Sequence, residues 1–137
     1  MSLFKKLFGK KAAVELNDPF FGAITYDQGI WTFLPKKQED GFMIGINAEE
    51  VGPSTQQGEF FTRLRSNLNH YERRAKDYIA SREDCSVDVS QLGVYSVQIE
   101  DDAATKLEEF VLELSDNDAF VIHRVSFKQG QPVDYGF

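Results

Sequence analysis

Cysteine is almost missing from this 137-residue chain: Cys85 stands alone, so no intrachain disulfide can form. A core without covalent staples and a single thiol fit a reducing compartment, and a cytoplasmic location is expected. Histidine is scarce as well, with only His70 and His123, and neither CxxC nor HExxH occurs. No metal ligand set can be read at the usual spacings, and no cofactor is expected. No stretch nears the ~20 apolar residues of a membrane span. Lysines interrupt the apolar run of about 7–15 residues that a secretory leader needs. Ser2 stands where myristoylation requires glycine. Internal repeats and low-complexity tracts are lacking too.

What is abundant is phenylalanine, at twelve, joined by five tyrosines and one tryptophan. Aromatic rings bury roughly 150–250 Å² each, so one aromatic-rich core suits a chain of this length. Charge is unevenly spread. Residues 1–11 hold Lys5, Lys6, Lys10 and Lys11 and no acid, leaving eleven basic against 22 acidic side chains in the rest, a net −11. That separation marks residues 1–11 as a basic amphipathic arm and residues 12–137 as a single domain. The arm places Leu3, Phe4, Leu7 and Phe8 on one helical arc with Lys5 and Lys6 opposite, and these six are the candidate interaction residues. Helices this short are marginal alone, so the arm orders only on a surface that receives it. Nucleic acid is disfavoured as a partner by the acidic body, which suits a basic protein instead.

Pattern predicts an α+β domain. Residues 12–18 read as a connector. Alternation over Phe20–Tyr26, a three-residue turn at Asp27-Gln28-Gly29, a return over Ile30–Leu34 and a third strand over Phe42–Ile46 make a meander. Trp31 and Phe33 share a face, as do Phe42, Ile44 and Ile46. After Gly52-Pro53, Ser54 with Gln57 forms a capping-box pattern. From there to about Ser81 one long helix is expected, with Phe61, Leu64, Leu68, Tyr71, Ala75 and Tyr78 as its apolar stripe. Tyr95–Glu100 and Ala119–Phe127 read as strands, followed by a turn at 128–131 into Pro132–Phe137. Residues 107–114 fit a helix through Leu107, Phe110, Val111 and Leu114 or a strand through Phe110, Leu112 and Leu114, and a strand is expected because Ala119–Phe127 would pair with it. The expected architecture is a largely antiparallel sheet, with an N-terminal and a C-terminal meander, covered by that helix.

No catalytic constellation emerges. Covalent catalysis would need Cys85 or a serine beside His70 or His123; His70 falls off the helical stripe, and His123 shares a strand face with Val121, Val125 and Phe127. Glu100-Asp101-Asp102 and Asp116-Asn117-Asp118 lack the glycine and distal glutamate of a calcium loop and read as solvated turns. Glycine motifs that cradle phosphate are absent. Arg63, Arg65, Arg73, Arg74 and Lys76 cluster on the long helix, diluted by Glu59, Glu72 and Asp77, and read as a solvated face.

The run Asp18-Pro19-Phe20-Phe21-Gly22, followed by Trp31 closing its hairpin, resembles bacterial domains that open with a DP-x-F-G hairpin. The strand, Ser115-Asp116-Asn117-Asp118 turn, His123 and a strand ending at Lys128-Gln129-Gly130 are similar to the end of a related family. The resemblance implies a small α+β binding protein of the kind associated with polymorphic-toxin immunity, and it carries over no catalytic residue. The leading expectation is therefore a non-enzymatic protein-binding module, of immunity type, with an acidic surface toward a basic protein partner. The alternative is a membrane-peripheral protein attached weakly through Leu3, Phe4, Leu7 and Phe8 and the neighbouring lysines.

Overall fold

A computed structural model of the chain describes residues 14–34, 41–82, 86–116 and 121–137. Eight strands form one sheet in sequence order: β1 (Val14–Asp18), β2 (Gly22–Asp27), β3 (Ile30–Phe33), β4 (Met43–Asn47), β5 (Gly93–Ile99), β6 (Phe110–Ser115), β7 (His123–Lys128) and β8 (Gln131–Gly136). Every neighbouring pair is antiparallel except β4 and β5, which run parallel and join two four-stranded meanders edge to edge. The crossover between them carries α1 (Thr55–Ser66), α2 (Leu68–Ala80) and a 3₁₀ turn at Val89–Gln91, as a parallel connection requires. A short helix, α3 (Asp102–Lys106), links β5 to β6.

Alternation places one side chain in two against the helices. Ile24, Trp31, Phe33, Ile44, Ile46, Val97, Ile99, Phe110, Leu112, Leu114, Val125 and Phe127 are all buried there. Phe61 of α1 stacks on Phe21 at 4.8 Å and meets Phe33 edge-on, while Phe60 packs on Phe110. Tyr71 of α2 sits edge-on against Phe110 and Phe127, whose rings stack at 4.6 Å. Among the described residues no helix is long and apolar enough to cross a membrane.

Several expectations need correction. The expected connector is an edge strand over its described part, Val14–Asp18: Val14 and Leu16 pair with Tyr26 and Ile24, and the hairpin supplies the backbone partners that the polar sequence VELND does not advertise. The turn at Gln28-Gly29 has two residues, not three, with Asp27 paired to Ile30 and φ positive at both turn positions, 49° and 89°. That is the twist-matched hairpin geometry, and Gln129-Gly130 repeats it. The one long helix is two. Asn67 leaves helical geometry at φ −117°, ψ 17°, and its amide donates to the Arg63 carbonyl at 2.9 Å, competing with the backbone ladder. The apolar stripe nevertheless runs on across the break. Glu100-Asp101-Asp102 is solvated as expected but opens a helix instead of a turn, because Asp101 caps α3 by accepting from the Ala104 N–H at 3.0 Å. Residues 107–114 do contain a strand, β6, but Leu107 precedes it and is exposed. β7 starts at His123, and Val121 is exposed rather than on its inner face. The arm at 1–11 lies outside the described residues.

Gly58, an unexpected residue inside a helix, has a clear reason. The Phe20 ring lies directly over its Cα, where any Cβ would overlap the ring.

Candidate functional site

The strands β4 and β5 end side by side, and helices begin just beyond both ends. Such a switch from one half of a sheet to the other leaves a crevice outside the strand ends, a frequent place for binding. Here the crevice is a recess of about 480 Å³ lined from two distant stretches of chain, Asn47–Gln57 and Asp101–Ala103.

Gln57 is its keystone. The capping box forms as the sequence predicts: Ser54 Oγ accepts the Gln57 N–H at 3.0 Å, and Gln57 Oε1 accepts the Ser54 N–H at 2.9 Å. The Gln57 amide then donates to the carbonyls of Asn47, the last residue of β4, at 2.9 Å and of Glu100, just past β5, at 2.8 Å. A single buried side chain thus clips the ends of β4 and β5 to the start of α1. Ser54 Oγ also donates to Asp102, and Gln56 Nε2 donates to the Asp102 carbonyl and, at 2.9 Å, to Thr105 Oγ1, tying α3 to α1. Trp31, wholly buried, donates its indole N–H to the Glu49 carbonyl at 2.9 Å and anchors the loop that forms the near wall.

The charge around this end is predominantly acidic. Asp27, Glu49, Glu50, Asp101, Asp102 and Glu108 are exposed there, with Glu100 and Glu109 half-buried. Lys106 and Lys128 oppose them, together with Arg63, which lines a neighbouring recess with Lys106 and Glu108, and Arg74, which donates to Gln131 at the start of β8. Along the helices, Arg63 and Arg65 rest over the rings of Phe60 and Phe61, and Lys76 pairs with Glu72 at 3.2 Å.

Every buried side-chain nitrogen and oxygen among the described residues has a hydrogen-bond partner. The recess therefore aims no orphaned polar atom at a small ligand. Nor do the described residues gather three histidine, cysteine or acidic side chains about one point.

Two further polar groups bear on chemistry. On the sheet face away from the helices, Ser96 Oγ donates to Glu113 Oε1 at 2.7 Å and accepts from Gln98 Nε2 at 2.8 Å, while Arg124 closes on Glu113 Oε2 at 3.0 Å. Ser96 is buried at a bulge in β5 and out of reach of a substrate, so its contact with a carboxylate is structural. At the other end of the sheet, His123 Nδ1 meets the Tyr135 hydroxyl at 2.7 Å, and Phe137 packs on both rings. Burial pushes the His123 imidazole below its ordinary value, against the opposing pull of Asp116.

The histidines do not converge. His70 is exposed on α2 beside Tyr71, which packs on Phe127; His123 lies four residues back along β7, ~13 Å by strand rise. Cys85 and the arm residues Leu3, Phe4, Lys5, Lys6, Leu7 and Phe8 lie outside the described residues. Sequence reading missed the recess because its halves are about fifty positions apart; the capping box and the acidic triplet were its only local signals. No family model matches the chain, and neither curated proteins nor solved structures yield a match.

Proposed function

We propose that this chain is a non-enzymatic protein-binding module that meets a basic protein surface with its acidic end, as an immunity-type protein would. The observation that carries this reading is the set of exposed carboxylates of Glu49, Asp101 and Asp102 on a recess whose buried polar atoms are already satisfied. A rim of that kind attracts a cationic surface without demanding a particular small ligand. Opposite charge speeds encounter and rejects acidic competitors, and the effect weakens with salt. The rim stands on strand ends and helix caps that Gln57 holds together, so little ordering cost accompanies binding. The membrane-peripheral alternative rests on residues 1–11, which lie outside the described residues, and the acidic body opposes attachment to an anionic surface.

The test is capture from the native host at roughly 0.05 M salt, where screening is weak. Wild-type chain is compared with Glu49→Lys/Glu50→Lys, two exposed positions whose side chains hold no structural contact described above. A partner kept by the wild type and lost by the variant, with an association rate that falls as salt rises, supports the reading. Equal retention by both chains, or no partner at all, refutes it.

A further inference from the structure

The recess has apolar walls inside its acidic rim. Ala48, Gly52 and Ala103 line it, and Val51 stands at its lip with 87% of its surface exposed. Leu16 of β1 reaches the same loop, close enough that a Cβ on Gly52 would press on its Cδ2, yet it stays 36% exposed. Aliphatic surface framed by carboxylates matches a ligand that is both apolar and cationic.

The N-terminal segment is joined to the body at this place. Val14 pairs with Tyr26 and Tyr26 with Trp31, whose indole N–H donates to the Glu49 carbonyl on the recess wall. Two strand spacings, ~10 Å, separate Val14 from Trp31. Residues 1–13 carry Leu3, Phe4, Leu7 and Phe8 among Lys5, Lys6, Lys10 and Lys11, with no acid. Phe8 is six positions from Val14, a reach of up to ~20 Å, and Leu3 has more. A tether this short holds the segment at an effective concentration on the order of millimolar.

We propose that residues 3–11 are an intramolecular occupant of the recess, with apolar side chains against Val51 and Ala103 and lysines against Glu49, Glu50 and Asp101. Its consequence, which rests on the proposed function, is that a basic partner must displace the segment to bind.

Trypsin reads the contact in the native full chain, because it cuts after Lys5, Lys6, Lys10 and Lys11. At roughly 0.05 M salt the segment should be cut about tenfold more slowly than a free peptide of residues 1–16, the ratio expected for ~0.1 mM intrinsic affinity at millimolar effective concentration. Protection should disappear at about 0.5 M salt, where exposed charges are screened. It should also disappear in Glu49→Gln/Glu50→Gln and fall in Val51→Asn, with cooperative unfolding unchanged in each. Equal cutting of wild type, variants and free peptide overturns the proposal. Protection that fades on dilution overturns it in favour of a second copy. Protection that arises only with phosphatidylserine vesicles overturns it in favour of a membrane surface. A protected segment in a chain that captures no partner leaves the docking standing and removes the proposed function.

Discussion

Replacing Gln57 by alanine should be among the most damaging single changes outside the aromatic core. The side chain is 3% exposed and makes three hydrogen bonds at once, two from its amide to the carbonyls of Asn47 and Glu100 and one accepted from the Ser54 N–H. Alanine orphans all three partners. A buried group left unpaired costs about 1–3 kcal/mol, but the recess lets water reach part of this site, so the lower figure applies to each. The total is about 3 kcal/mol, with a further loss for the small cavity. Gln57→Glu is the sharper control, because it keeps the shape while setting a carboxylate against two carbonyls that need donors; at neutral pH it should cost more than Gln57→Ala. Urea unfolding followed by the fluorescence of Trp31, the single tryptophan, measures both. The midpoint should fall with an unchanged slope, since the surface exposed on unfolding is the same. Amide exchange should also quicken where β4 and β5 end. A cost under about 1 kcal/mol for the alanine variant, or a glutamate variant as stable as wild type, would refute the claim that this amide clips the two strands together.

Trp31→Ala should cost about 3–5 kcal/mol, because a wholly buried indole and its bond to Glu49 are both lost; denaturant titration followed by circular dichroism checks it. Gly58→Ala should destabilise by about 1–3 kcal/mol although alanine is the better helix former by ~1 kcal/mol, since the new Cβ meets the Phe20 ring. The double variant Phe20→Ala/Gly58→Ala should recover part of that loss, and additive costs in the cycle would argue against the clash. His123 predicts a pH dependence of stability. Its folded-state pKa lies below the ordinary value, so the unfolded chain binds more protons in the interval between the two. Stability from this group is therefore full above about pH 6.5 and declines as the pH falls through the lowered pKa. Thermal melts of His123→Phe should lack that decline, and an unchanged pH profile would disprove it.

The sequence alone reached furthest where a pattern is closed by near neighbours. The Ser54–Gln57 box is complete within one turn, and it forms. Alternation set the inner faces of β3, β4 and β6 correctly, down to Phe110, Leu112 and Leu114, because a pleat fixes which side each residue takes. The helical stripe from Phe61 to Tyr78 held across a break it did not reveal; an apolar period is blind to one asparagine that turns its amide back onto the chain.

Tertiary structure decided the rest. VELND is a strand because the β2–β3 hairpin offers it an edge, which no feature within those five residues could announce. The two meanders become one sheet through β4 and β5, whose sequences would serve equally well at separate edges. The recess exists only after that pairing brings Glu49 and Asp101 to the same end. Periodicity and caps act over three or four residues, so composition fixes them directly. β4 and β5, and the site residues beyond their ends, are joined across about fifty positions, where closing one loop or another differs by little free energy, and the packed core makes the choice.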